Sequence, residues 1–153
     1  MHLRDERGAA AVEFAVVLPL LLLILLGIIE YGLIFYNKQV LTNASREGAR
    51  FGIVAGERAT SASIEQEVSN YLDQKLISFQ PSEPTVTTCS MDRDDPGTAT
   101  CPNSTTTKFG DYLSVEIEYP YDFLLFPKLK KIFSSGNPES SLTLRATTVM
   151  RYE

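Results

Sequence analysis

Glu13 has the most distinctive chemical setting in this sequence, because it is the only charged residue between Gly8 and Ile29. At about 1.5 Å per residue, a helix from Ala9 to Ile29 is roughly 30 Å long, which matches the hydrocarbon core of a bilayer. The segment therefore predicts a membrane-spanning helix. A carboxylate in mid-membrane costs on the order of 2.5–3.5 kcal/mol on insertion scales, so Glu13 needs either a partner or hydration by nearby headgroups.

Cys89 and Cys101 are the only two cysteines, and they bracket a turn-rich loop. Two cysteines around a loop in an exported domain predict a disulfide. The loop also contains three acids that could offer oxygen atoms to calcium: Asp92, Asp94 and Asp95. Pro96 replaces an expected ligand and no glutamate closes the loop in EF-hand register, so no metal site is predicted.

The composition argues against several classes of function. The lone histidine is His2, so a histidine-based triad or zinc site in an exterior domain is excluded. No acidic pair stands out from a solvated face, which makes an anchored hydrolase the weakest hypothesis. The net charge of −5 argues against nucleic acid as a partner. The sequence predicts a protein that is not an enzyme, with no catalytic residues and no cofactor.

The anchor helix is expected to continue outside the membrane. An apolar stripe at helical spacing persists well beyond Glu30, and four small residues then recur at every fourth position: Ala44, Gly48, Gly52 and Gly56. Another backbone can approach such a face closely, from either the protein's own sheet or a neighbouring subunit. Gly52 and Gly56 could instead unwind the helix end, and we favour packing for Gly48 and unwinding for Gly56.

The remaining chain predicts a small α+β domain. An amphipathic pattern indicates a second helix near Ser63–Leu76, and β-branched residues indicate a short strand at 85–88. Period-two alternation at 113–119 and 142–150 predicts strands of one antiparallel sheet of about three strands, covered on one face by the helices. A basic aromatic stretch within 121–135 either binds lipid headgroups, acidic polysaccharide or a partner, or tucks its apolar residues into the core.

Three motifs together resemble a known family. Gly8 followed at the fifth position by Glu13, at the start of a hydrophobic helix, resembles the processing site of type IV prepilins. Residues 43–52 resemble the "AxREGARxG" signature that follows the anchor helix in TadE-like proteins of tight-adherence (Tad/Flp) pili, and 146–152 resemble their last strand. The likeness covers the first 55 residues or so well, the last dozen moderately and the middle hardly at all.

The resemblance implies a minor pilin or pseudopilin needed for pilus assembly and surface adherence. Prepilin peptidase would cleave after Gly8 and create a new α-amino group on Ala9, and Glu13 would meet such an amine on an adjoining subunit. The implied partners are the peptidase, other pilin and pseudopilin subunits including the major Flp pilin, the inner-membrane assembly platform with its ATPase, and membrane lipid.

The expected organisation has four parts. Residues 1–8 would be a cytoplasmic leader, 9–30 a single span of a bacterial inner membrane, 31–56 an exterior extension of the same helix, and 57–153 a periplasmic α+β domain. The mature protein could stay in the membrane or enter an extracellular pilus. The alternative is a permanently anchored, unprocessed periplasmic receptor or adhesin domain.

Overall fold

The structure, a computed structural model, describes residues 5–55, 59–79, 82–95, 99–102, 104–105, 109–123 and 141–152. Its first element is helix α1, which runs unbroken from Asp5 to Ala55 over 51 residues and contains Pro19. Membrane helices tolerate an internal proline when neighbouring groups compensate for the lost hydrogen bond. The prediction that the anchor and its extension form one rod is confirmed.

Helix α2 spans Ser61–Lys75 and begins at a capping box. The Thr60 side chain accepts from the Ser63 backbone N–H at 3.2 Å, while Thr60 N–H donates to the Ser63 hydroxyl at 2.9 Å. These two bonds satisfy donors that the first helical turn would otherwise leave without partners. The helix begins two residues before the predicted start because Thr60, and not a later hydroxyl residue, is the cap.

Four antiparallel strands form one sheet in the order β2-β1-β3-β4. Their bounds are Thr85–Met91 for β1, Ala99–Thr100 for β2, Tyr112–Asp122 for β3 and Ser141–Arg151 for β4. Strands β3 and β4 pair along their whole length, from Tyr112 opposite Arg151 to Asp122 opposite Ser141. The prediction of two neighbouring strands with period-two patterns is confirmed, whereas the short strand β2 was not predicted.

Helices α1 and α2 cover one face of this sheet. Alternate residues of β3 point into the core and are buried: Leu113, Val115, Ile117, Tyr119 and Tyr121. On the opposite face Arg145 pairs with Glu116 at 2.9 Å and also with Glu118. One face of the sheet is therefore apolar and covered, while the charged face carries cross-strand ion pairs between β3 and β4.

The small residues of α1 lie at its closest approach to the rest of the domain. A Cβ atom at Gly48 would lie 2.5 Å from Val68 Cγ2 of α2, and one at Gly52 would lie 2.4 Å from Leu113 Cδ2 of β3. Ala44 is fully buried on the same face. The protein's own sheet and second helix, rather than a neighbouring subunit, occupy this face. Helix α1 continues through Gly52 to Ala55, and Gly56 lies outside the described residues.

Cys89 at the end of β1 forms a disulfide with Cys101, with a Cα–Cα distance of 4.6 Å. The bond lies beside the pairing of β1 with the two-residue strand β2, where Ser90 is opposite Thr100. The cross-link therefore holds in place a strand that is too short to pair stably by itself.

Bulk at the close approach should destabilise the domain. We expect Gly52→Val to lower the free energy of unfolding by about 1–3 kcal/mol, because buried Leu113 and Ile64 would have to move. Gly32→Val is the matched control, since a Cβ atom there meets nothing within 4 Å. Urea unfolding of both detergent-solubilised variants can be followed by the near-ultraviolet circular dichroism of their tyrosines. Equal urea midpoints for Gly52→Val and Gly32→Val would contradict the close packing at Gly52.

Loss of the cross-link should also be measurable. The double substitution Cys89→Ser/Cys101→Ser should lower the free energy of unfolding on the order of 3 kcal/mol, because the bond closes a short loop in the unfolded chain. A thiol reductant should produce a similar loss in the wild type and none in the double variant. A wild type that reductant leaves unchanged would argue against a stabilising bond.

Candidate functional site

Helix α1 has two parts with different surroundings. No side chain between Gly8 and Ile29 is buried, whereas Glu30 is only 1% exposed and buried residues recur from there to Gly52. The bare part, 22 residues from Gly8 to Ile29, is roughly 33 Å long. Among the described residues α1 is the one helix that is long and apolar enough to cross a membrane. It is a candidate span, which is consistent with membrane anchoring.

Glu13 and Gly8 both lie exposed on the bare part of α1. A Cβ atom at Gly8 would meet nothing within 4 Å, so this side of the helix has space for another molecule. No cation of the described chain forms an ion pair with Glu13. A partner for this carboxylate inside a bilayer would therefore come from the lipid, from a second protein or from residues outside the described ranges.

Glu30 marks the point where α1 enters the domain. The hydroxyl of Tyr121, near the end of β3, donates to Glu30 Oε1 at 3.3 Å, and the Tyr121 ring meets Phe123 edge-on with centroids 5.8 Å apart. Burial, together with the nearby Glu30 carboxyl, raises the pKa of Tyr121 from 10.0 to about 12. The sequence analysis did not identify Glu30 as a buried contact residue. Its spacing along the helix from Leu41 and Gly48 places it on the same buried face.

Two further polar contacts fasten the packed part of α1 to the chain that follows α2. Asn37, which is fully buried, donates through Nδ2 to the Ile77 carbonyl at 2.8 Å and accepts from the Ile77 N–H at 3.1 Å. The Tyr36 hydroxyl donates to the Lys75 carbonyl at 3.1 Å. The C-terminal end of α2 is therefore hydrogen-bonded to α1 at Tyr36 and Asn37.

Strand β4 is fastened to the same helix on its other side. The Ser45 and Thr148 hydroxyls are 2.7 Å apart, and the Lys38 ammonium donates to the Arg145 carbonyl. Ser45 is also fully buried, and its hydroxyl donates to the Thr42 carbonyl of the same helix at 3.0 Å, so the helix and the sheet together satisfy it. Helix α1 is consequently bonded to β3, to β4 and to the segment after α2.

The charged groups near the end of α1 form a surface pair. Arg50 contacts Glu47 at 2.6 Å, and this guanidinium holds the pKa of Glu47 below its ordinary value. In the cysteine loop, Asp92 Oδ1 accepts from the Asp94 N–H at 2.9 Å, which is a local turn bond. Within the described ranges no three or more acids, cysteines or histidines cluster as metal ligands would.

Some predicted features fall on residues that the structure does not describe. The basic aromatic stretch lies outside the described residues from position 124 to position 135, as does the first half of the leader, at positions 1–4. The described parts of the stretch are the end of β3 and Phe123.

The comparison with known families concerns the anchor helix. Residues 8–50, or 43 of the 153 residues, match the family model described as TadE-like protein. The matched range contains Gly8, Glu13, Glu30 and Gly48, so it joins the bare part of α1 to the packed part. No curated protein and no solved structure is significantly similar to the chain.

The buried tyrosine predicts how stability changes at high pH. Because the folded state raises the pKa of Tyr121 to about 12 from 10.0, the folded state holds this proton where the unfolded state releases it. Stability should therefore fall as pH rises through that window, by up to about 1.4 kcal/mol per pH unit from this group. Urea unfolding should show a shallower loss for Tyr121→Phe, and identical pH slopes would contradict the buried hydrogen bond.

Proposed function

From the TadE-like region at residues 8–50, we propose that the chain is a minor pseudopilin that supports assembly of a Tad/Flp-type pilus. The observation that carries the proposal is that the family match coincides with a helix whose first part is bare and apolar and whose second part is packed. A helix of this design can pass from a lipid bilayer into a helical filament core while its domain stays folded.

Processing is the first step of the proposed role. Prepilin peptidase would cleave after Gly8, where a side chain would meet nothing within 4 Å, and leave an α-amino group on Ala9. The substrate peptide is thus the cytoplasmic end of α1, and no group of the exterior domain takes part in the cleavage. The chain itself is proposed as a structural protein and not as an enzyme.

Pairing through Glu13 is the second step. A carboxylate without a partner in low dielectric is costly, whereas a paired carboxylate recovers Coulomb energy. Glu13 is exposed on the bare part of α1, so the new amine of an adjoining subunit can reach it without any change in the domain. The contact would draw neighbouring helices together in one register.

The partners follow from these two steps. We propose the prepilin peptidase, other pilin and pseudopilin subunits, the inner-membrane assembly platform and membrane lipid as partners, with surface adherence as the downstream result. The N-terminus would be cytoplasmic and the disulfide-bonded domain periplasmic, because disulfides form in oxidising compartments.

Removing the charge should separate assembly from folding. We expect Glu13→Leu to insert in the membrane, to fold its exterior domain as the wild type does and to fail to restore pili in a deletion strain. Glu13→Asp, which keeps the charge, should restore them in part, and Val16→Leu, also on the bare part, should restore them fully. Microscopy of the complemented strains at native expression measures piliation.

Processing needs its own variant. Gly8→Val should block cleavage and leave the leader attached, which intact mass of the membrane-extracted protein reports. Normal piliation by Glu13→Leu would remove the pairing mechanism. An uncleaved wild type would favour the alternative, a permanently anchored periplasmic receptor or adhesin domain.

A further inference from the structure

The fold brings the ends of several elements to the level of Glu30. Tyr121 near the end of β3 contacts Glu30, and the Ser82 hydroxyl is 3.5 Å from the next residue of that strand, Asp122. The opposite end of the sheet is distant, since Leu113 packs against Gly52. Strand β3 therefore runs toward the bare part of α1, and one end of the domain is membrane-proximal if α1 spans a bilayer.

The segment after α2 also lies at this end. Its beginning is fixed by Ile77, which bonds to Asn37, and Ser82 is fixed beside Asp122. Phe79 lies between these two attachments and is 52% exposed. Leu142 lies opposite Tyr121 in β4 and is 41% exposed.

Aromatic residues of α1 continue this surface. The rings of Tyr31 and Phe35 lie with their centroids 6.2 Å apart and their planes tilted by 37°, and both are exposed. We define the membrane-proximal rim as the exposed apolar and aromatic side chains at this end: Tyr31, Phe35, Tyr36, Ile77, Phe79 and Leu142. Beyond the bare part of α1, the described exposed large apolar residues elsewhere are Val54, Phe109 and Val149.

The part of the rim that lies beside Glu30 falls at the depth of the lipid headgroups, whereas Tyr36 and Ile77, which bonds to Asn37, lie about 9–10.5 Å beyond Glu30, outside that layer. If the hydrocarbon core ends near Glu30, Phe35 lies about 7.5 Å further along the helix. The headgroup layer is about 5–7 Å thick on each side of the core. Tyrosine rings are favoured in this layer, because their apolar body and polar hydroxyl suit surroundings that are apolar on one side and wet on the other.

We propose that the membrane-proximal rim rests on the outer surface of the bilayer that α1 crosses, so that lipid covers it. The proposal rests on α1 spanning a membrane and is independent of pilus assembly. The span and the rim are parts of one continuous surface, because the bare part of α1 ends where the rim begins. The domain is then held close to the membrane rather than standing away from it on a stalk.

The chain contains no tryptophan, so single-tryptophan variants report position without background. Phe79→Trp and Leu142→Trp place reporters on the rim. Phe109→Trp is the matched control, because Phe109 is 72% exposed and its neighbour Gly110 bonds to Tyr152 at the far end of the sheet. Val17→Trp, on the bare part, reports the span itself. The full-length chain is reconstituted in phospholipid nanodiscs with and without brominated acyl chains.

Brominated lipid should quench both rim reporters roughly twofold, because an apolar surface at the headgroup–acyl boundary reaches into the region of the acyl chains that carry the bromine atoms. Val17→Trp should be quenched more strongly, and Phe109→Trp should be unaffected. Rim reporters that are quenched no more than Phe109→Trp would overturn the proposal, including the case in which a second copy covers the rim. An unquenched Val17→Trp would overturn both the span and the proposal, whereas loss of piliation in Glu13→Leu bears on neither.

Discussion

The domain depends on the close contact that α1 makes with α2 and β3 where Gly48 and Gly52 carry no side chain. The core is built directly on this helix, which contributes Val40, Leu41, Ala44 and Ala49 to the buried cluster. A small domain buries only a modest fraction of its apolar surface, so each element that contributes to the core matters for stability. The packed part of α1 is therefore a component of the core and not a linker to it.

The polar contacts along α1 define how the helix sits on the domain. Glu30, Asn37 and Ser45 are each buried, and each bonds to a different element: β3, the segment after α2, and β4. Apolar packing alone tolerates a shift of a helix by one turn, whereas a shift here would leave buried polar groups without partners. These residues therefore select one position of helix α1 along the domain.

The elements with local periodicity could be predicted from the sequence. The apolar run from Ala9, the amphipathic pattern near Ile64 and the alternation around Ile117 each depend on neighbours within a few residues, and the structure has a helix, a helix and a strand at these places. Strand β2 could not be predicted, because Ala99-Thr100 is too short to show a period. Glu30 was missed for a different reason: its hydrogen-bond partner, Tyr121, is distant in sequence, and only the tertiary fold brings the two together.

For the same reason, the sequence alone did not show which element packs against the face of α1 that carries Ala44, Gly48 and Gly52. The spacing of Ala44, Gly48 and Gly52 predicts a close neighbour but not its identity. The structure places β3 and α2 there. Glu13 is the opposite case, because its setting is local and it forms no ion pair with the residues that the structure describes.

The unbroken course of α1 couples Glu13 to the domain in angle as well as in distance. Glu30 lies seventeen positions after Glu13 on one helix, which corresponds to about 26 Å of rise and a rotation equivalent to about 260°. The number of residues between Glu13 and Glu30 therefore sets the direction in which the domain projects around the helix axis, relative to the Glu13 side chain. One inserted residue between them would turn the domain by about 100° relative to the carboxylate. In any helical array of such subunits, the length of this segment would determine which side of each domain faces outward.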